Sequence, residues 1–135
     1  MGTFRNIEEA KAFFEKDRFA STNGMVLEEL ADDHVLCSMV IGENHRNALG
    51  GVMGGVIFTL GDICFSILAN HLHYPTVAQQ VSINYLGAAR GEKLLARALC
   101  RKDGRSSAVI NVDITDELGN DVAQFVGTGF KLRRE

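Results

Sequence analysis

The 135-residue sequence has no tryptophan and a single proline, neither of which restricts its class. Its other shortages say more. It has no excess of basic charge: the net charge is −3 and the pI is about 5.8, so no general positive field favours nucleic acid as a partner. It has no paired cysteines. Cys37, Cys64 and Cys100 are odd in number, far apart and set in apolar runs, which reads as reduced, packed thiols in a cytoplasmic protein. It has no secretory leader pattern, because Glu8, Glu9, Glu15 and Asp17 fall in the first stretch. No repeat, low-complexity segment or linker divides it, so residues 1–135 read as one domain, long enough for a real core. His71 and His73 form an H-x-H pair near a helix end, but no Asp, Glu or Cys is close in sequence. They are expected to cap carbonyls or face solvent, and no metal or resident cofactor is expected.

What the sequence does have is one long apolar stretch, Gly54 to His71, opened by two glycines and running without a breaker for about five turns. Thr59, Asp62, Ser66 and Asn70 fall within a sector about 80° wide, and Gly55 projects to the same side. The rest, apart from Gly61, is apolar, which predicts a buried helix. Asp62 at its centre and the short apolar length argue against a membrane span. A carboxylate in such a helix is costly unless something uses it, so Asp62 is the first candidate for chemistry.

The remaining elements arrange themselves around that helix. Asn6 to Phe19 reads as a short helix, with Asn6 as N-cap, Glu9 as its capping-box partner, and Phe13 and Phe14 on an apolar face that packs on the fold or lines a ligand tunnel. Met25 to Leu30 and His34 to Ile41 read as a hairpin. The loop Gly42–Met53 leads into the long helix, whose first N–H groups are unpaired and carry the positive end of the dipole. Glycines there let an oxygen approach the backbone, the usual way to stabilise an oxyanion. Thr76–Tyr85, Glu92–Lys102, Ser107–Asp116 and Asp121–Arg133 read as strands, joined largely by hairpins, with Asp103-Gly104 as one turn. Gly127 and Gly129 mark a bulge or a close backbone approach. The fold class is α+β: about six antiparallel strands curled around the long helix, with an N-terminal helix outside.

This plan resembles the hotdog fold, and the stretch from Asn47 to Asp62, NALGGVMGGVIFTLGD, resembles the PaaI-like acyl-CoA thioesterase signature N-x-x-x-x-x-H-G-G-x-x-x-x-L-x-D. Asn47, Gly54, Gly55, Leu60 and Asp62 match in spacing. Lys102–Arg105, Val122-Ala123 and Gly127–Gly129 resemble later family elements. The resemblance covers about residues 35 to 132. It departs at Met53, where the family usually has His, and on the strand after the helix, where Ala78, with Thr76 and Gln79 as neighbours, falls near a position that is often Ser or Thr.

The resemblance implies an acyl-CoA thioesterase acting on aryl- or medium-chain acyl-CoA, with CoA as part of the substrate and no cofactor. The Gly54 N–H would hold the thioester oxygen, Asn47 would orient the thioester or the water, and Asp62 would act as general base or as nucleophile. Met53, Gly55 and His45 would border the substrate, and Arg90, Arg101, Lys102 and Arg105 would grip CoA phosphates or simply be solvated. Gly54 and Asp62 are about 12 Å apart along one helix, too far for one site. The resemblance therefore implies a homodimer with shared sites, assembled further as a dimer of dimers (homotetramer). Structural roles stand beside these: Asp62 bonded to backbone, Asn47 shaping the loop, the glycines serving packing. Two other functions stay open, a non-catalytic acyl-CoA-binding protein and a hydratase or dehydratase that would need His45.

Overall fold

The computed structural model describes residues 2–133. The element order is α1 (Ile7–Phe14), α2 (Arg18–Thr22), β1 (Met25–Leu30), β2 (His34–Val40), α3 (Gly54–Leu72), β3 (Thr76–Tyr85), β4 (Lys93–Asp103), β5 (Ser107–Asp116) and β6 (Asp121–Lys131). All pairings are antiparallel, in the order β1-β2-β4-β5-β6-β3. The sheet is open and curls around α3, which touches every strand.

Period-two patterning sets the inner face. Leu94, Ala96 and Ala98 on β4 and Ala108, Ile110, Val112 and Ile114 on β5 are buried, as the alternation predicts. The small residues of β4 let the helix approach closely: the Cys64 thiol donates to the carbonyl oxygens of Val35 (3.5 Å) and Ala96 (3.3 Å). Register breaks in four of the five ladders add twist and bend to the sheet. By length and composition α3 could cross a membrane, but here it is the core helix, buried within the sheet. Its less covered positions include Gly55, Thr59, Asp62 and Ser66, four of the five positions assigned to the polar sector; Asn70 is buried.

Several boundaries differ from the sequence reading. The N-terminal helix breaks after Phe14, and a second short helix begins at Arg18. Asn6 does cap α1, its Oδ1 accepting from the Glu9 N–H (2.9 Å), but Glu9 reaches back to the Arg5 N–H (3.2 Å) instead of closing a box on Asn6. Asp103 belongs to the ladder opposite Ala108, so the β4–β5 turn is residues 104–106. β3 does not adjoin β4. It pairs with β6 at the far edge, and residues 86–92 carry the chain across the ends of β5 and β6.

His71 neither caps nor faces solvent. It is buried, accepting from the Phe4 N–H at Nδ1 (3.3 Å), meeting Asp32 at Nε2 (3.0 Å) and stacking on the Phe4 ring. The N-terminal segment thus closes the C-terminal end of α3. His73 instead meets the Leu132 carbonyl (2.9 Å). Among the described residues no group of three or more His, Cys, Asp or Glu gathers as a metal set.

Gly127 resolves as a close approach. A Cβ there would lie 2.7 Å from the Phe65 ring, so the missing side chain is what lets Phe65 pack on β6. Gly127→Ala is expected to overpack this contact and cost about 1–3 kcal/mol; urea unfolding should show a lower midpoint with an unchanged slope.

Candidate active site

The loop before α3 is built by its own polar groups. Residues 43–45 form one 3-10 turn, and the Gly42 N–H donates to His45 Nδ1 (2.9 Å). The His45 carbonyl accepts from the Met53 N–H (2.8 Å). His45 is 4% exposed and lies under the loop as an anchor within the single chain. Its Nε2 is buried without a partner. Asn47 folds the next turn: its Oδ1 accepts from the N–H groups of Leu49 (3.0 Å) and Gly51 (3.1 Å). That engages the oxygen, and among the described residues the Nδ2 hydrogens have no partner.

α3 begins at Gly54 with Met53 as an N-cap that supplies no side-chain bond. The Met53 carbonyl accepts from Val56 and Ile57, while the Gly54 and Gly55 N–H groups have no acceptor among the described residues. Tyr85, at the end of β3, donates its hydroxyl to the Gly54 carbonyl (2.9 Å). A Cβ on Gly54 would meet the Tyr85 ring at 3.1 Å, so this glycine is set by the tyrosine as well as by the helix start. Met53 is 46% exposed beside these amides, with its methyl against Gly55.

Asp62 lies two turns further, half-buried with Thr59 and Ser66 on the wall of a cavity of about 370 Å³. The Thr59 hydroxyl is taken by the Gly55 carbonyl (2.8 Å), an i−4 bond of the expected kind. The segment Lys16–Phe19 forms the opposite wall. Burial pushes the Asp62 carboxyl above its ordinary range, and the negative charge of Asp17 adds to this. A carboxylate of raised basicity beside a cavity is suited to taking a proton from water.

The basic residues do not gather. Arg90 precedes β4, and Arg101, Lys102 and Arg105 lie at its other end, roughly 30 Å away along the strand. Arg90 is on the Gly54 side and the hairpin on the side of the α3 C-terminus, so within one chain they cannot form a single phosphate grip.

Three residues that the sequence reading did not single out matter here: Tyr85, Asp17 and Asp116. Tyr85 and Asp17 carry no local signal, since their roles depend on β3 and α2 docking against α3. Asp116 stands in a turn-like D-E-L-G-N run, which marks a turn but not what it holds. Its buried carboxylate accepts from the N–H groups of Arg90 (2.8 Å), Gly91 (3.1 Å), Leu118 (3.0 Å) and Asn120 (2.9 Å), and from Asn120 Nδ2 (2.9 Å). It fixes the loop that carries Arg90.

Comparison with known proteins agrees with this architecture. The thioesterase superfamily matches residues 49–123. Human acyl-coenzyme A thioesterase 13 is 31% identical over 122 residues, 87% of each chain. The acyl-coenzyme A thioesterase PaaI of Escherichia coli is 25% identical over 126 residues, 93% of this chain and 90% of that protein. Its structure superposes with a TM-score of 0.88 at 23% identity, covering 94% of this chain and 93% of that one, which shows the common fold. A thioesterase protein of Streptococcus pneumoniae, solved with coenzyme A, superposes with a TM-score of 0.82 at 28% identity, over 90% of this chain and 98% of that one. A curled sheet around one helix, with a bare helix start and a carboxylate two turns on, defines a hotdog protein. The chain belongs to the thioesterase superfamily, as a PaaI-like hotdog thioester hydrolase.

The Asn120 amide and the backbone N–H groups hold the Asp116 carboxyl far below its usual range. A depressed folded-state pKa means stabilisation that is fully present above the unfolded value near 3.9 and lost as pH falls below it. Asp116→Asn is therefore expected to lower Tm at pH 7, and the gap to the wild type should narrow steadily from about pH 4 downward. A gap independent of pH would remove the charge from this account.

Proposed function

We propose that the chain hydrolyses acyl-CoA thioesters at sites shared between two subunits. The observation that carries this is the spacing on one helix: acceptor-free Gly54 and Gly55 amides, and a basic Asp62 about 12 Å along the axis. Neither group completes a site alone, and each is what the other lacks.

β3 supports the assembly. It is the edge of the sheet, exposed along most of its length, with Val77 and Tyr85, and Leu86 just past its end, open to solvent. Such an edge invites pairing. Antiparallel pairing with its copy across a two-fold axis sets the Tyr85 end of one β3 beside the Thr76 end of the other. Tyr85 ties its end to Gly54, and Thr76 is tied to Asn70 late in α3. The two α3 helices then run antiparallel, and the Gly54 amides of one subunit approach the Asp62 stripe of the other. The same operation places the Arg101–Arg105 hairpin of one subunit and the Arg90 loop of its partner along the same edge of the joined sheet, several strands apart. Such a dimer is the unit from which a tetramer would build.

In the reaction, the thioester carbonyl oxygen accepts from the Gly54 N–H, which stabilises the oxyanion as the tetrahedral intermediate forms. The free Nδ2 hydrogens of Asn47 orient the thioester or the water. Asp62 takes the proton from water, or attacks directly to form an anhydride that water then opens. The CoA thiolate leaves and is protonated. Human and E. coli relatives are acyl-CoA thioesterases by name, and the S. pneumoniae neighbour was solved with CoA, which supports CoA as the leaving group.

One observation favours a second reading, an acyl-CoA-binding protein without turnover. Met53 stands in place of a histidine at the helix start, and exposed Ala78 in place of a hydroxyl on β3. Release of free thiol from a panel of acyl-CoAs separates the two.

Sedimentation at micromolar concentration should find a dimer or a tetramer; a stable monomer would remove the shared site. Asp62→Asn should cut kcat by about 10²-fold or more while Tm holds or rises. Since burial raises the Asp62 pKa, the acid limb of wild-type kcat/KM should lie above the ordinary aspartate value near 3.9. Mixing Asp62→Asn chains with Asn47→Ala chains, each inactive alone, should restore activity through one intact site per heterodimer. No recovery despite proven subunit exchange would mean the two residues do not act across the interface.

A further inference from the structure

Two cavities meet at α2. The first, about 370 Å³, holds Asp62. The second, about 420 Å³, lies between α1, α2, β1 and α3. Both share Arg18, Ala20 and Ile63 in their walls, so they adjoin. Each falls in the range of roughly 300–1,000 Å³ usual for ligand pockets.

The walls of the second cavity divide by chemistry. Charged Lys11, Glu15 and Arg18 are exposed at its outer side, while Leu27, Cys37 and Ile67 form a buried apolar floor. Among the described residues, none of the buried polar side chains lines it. The break between α1 and α2 is what keeps it open: a single continuous helix would not turn α2 down beside Ile63.

We propose that this second cavity is the acyl-chain chamber, entered from the Asp62 side past Ala20 and Ile63, and that it takes a straight saturated chain in preference to an aryl group. This rests on the acyl-CoA reading above and specifies its substrate. Ile67 lies about 7.5 Å beyond Asp62 along α3. A ring held one or two bonds from the thioester stays near Ile63, whereas a flexible chain reaches the floor. The floor offers a hydroxyl or a terminal carboxylate nothing stronger than the Cys37 thiol, a weak donor, so either would be buried poorly paired.

The test is the acyl-length profile of the full chain with hexanoyl-, decanoyl- and phenylacetyl-CoA. Wild-type kcat/KM should be highest for decanoyl-CoA. Ile67→Phe fills the floor and should lower the decanoyl-to-hexanoyl ratio at least tenfold, while Phe14→Ala, at the half-buried rim, should raise it. A best rate on phenylacetyl-CoA, or a ratio unchanged in a folded variant, would overturn the chamber. If Ile67→Phe does not fold, the Phe14→Ala ratio decides alone. If the wild type cleaves none of these, the thioesterase reading fails and the chamber is judged separately, by displacement of a fluorescent polyene fatty acid with decanoate. Displacement that Phe14→Ala or Ile67→Phe alters at least tenfold supports it; no binding of the probe to the wild type overturns it.

Discussion

Burial of α3 inside a curled sheet is the constraint on which the rest depends. A helix this apolar is soluble only if nearly its whole circumference is covered, and one sheet can do that only by bending. Small residues on β4 and the missing side chain at Gly127 bring helix and strands into contact. The little that stays uncovered is then set by geometry: the start of the helix and one polar stripe. Those are the two places where the chain presents backbone amides and a carboxylate.

The same packing explains the electrostatics. Asp62 is neither on the open surface nor sealed in the core. Half-burial raises its basicity, and Asp17 reaches it only because α2 folds back over the stripe. Asp116 lies at the opposite extreme, where a ring of donors holds the charge and uses it to fasten a loop. Two aspartates of one chain thus diverge in acidity because one is surrounded by donors and the other is half-buried beside a second carboxylate.

The helix also ties the site to the edge of the sheet. Tyr85 bonds the first carbonyl of α3 from the last residue of β3, so the geometry at the bare amides is coupled to the strand left free to pair. The N-terminal segment does the corresponding work at the other end, where Phe4 and Asp32 close over His71. Between these clamps the helix is held at both ends, which keeps the separation of Gly54 and Asp62 fixed.

Periodicity in the sequence was enough to place the long helix, every strand to within a residue or two, and the polar stripe with Asp62 at its centre, because hydrophobic spacing is local and covered faces repeat along each element. The glycine pair was legible as a loop running into a helix start, and Asn47 was singled out only by its place in the stretch that resembles the family signature. What local pattern does not carry is partnership. It gave no sign that β3 leaves its neighbour β4 to pair with β6, that His71 is buried by a segment nearly seventy residues away, or that His45 turns under its loop. It grouped Arg90 with Arg101, Lys102 and Arg105, which an extended β4 holds apart, and it did not reveal Tyr85, Asp17 or the ring of donors around Asp116. Each of those depends on contacts between residues distant in the chain, decided only when the sheet closes on the helix and each side chain meets what packs against it.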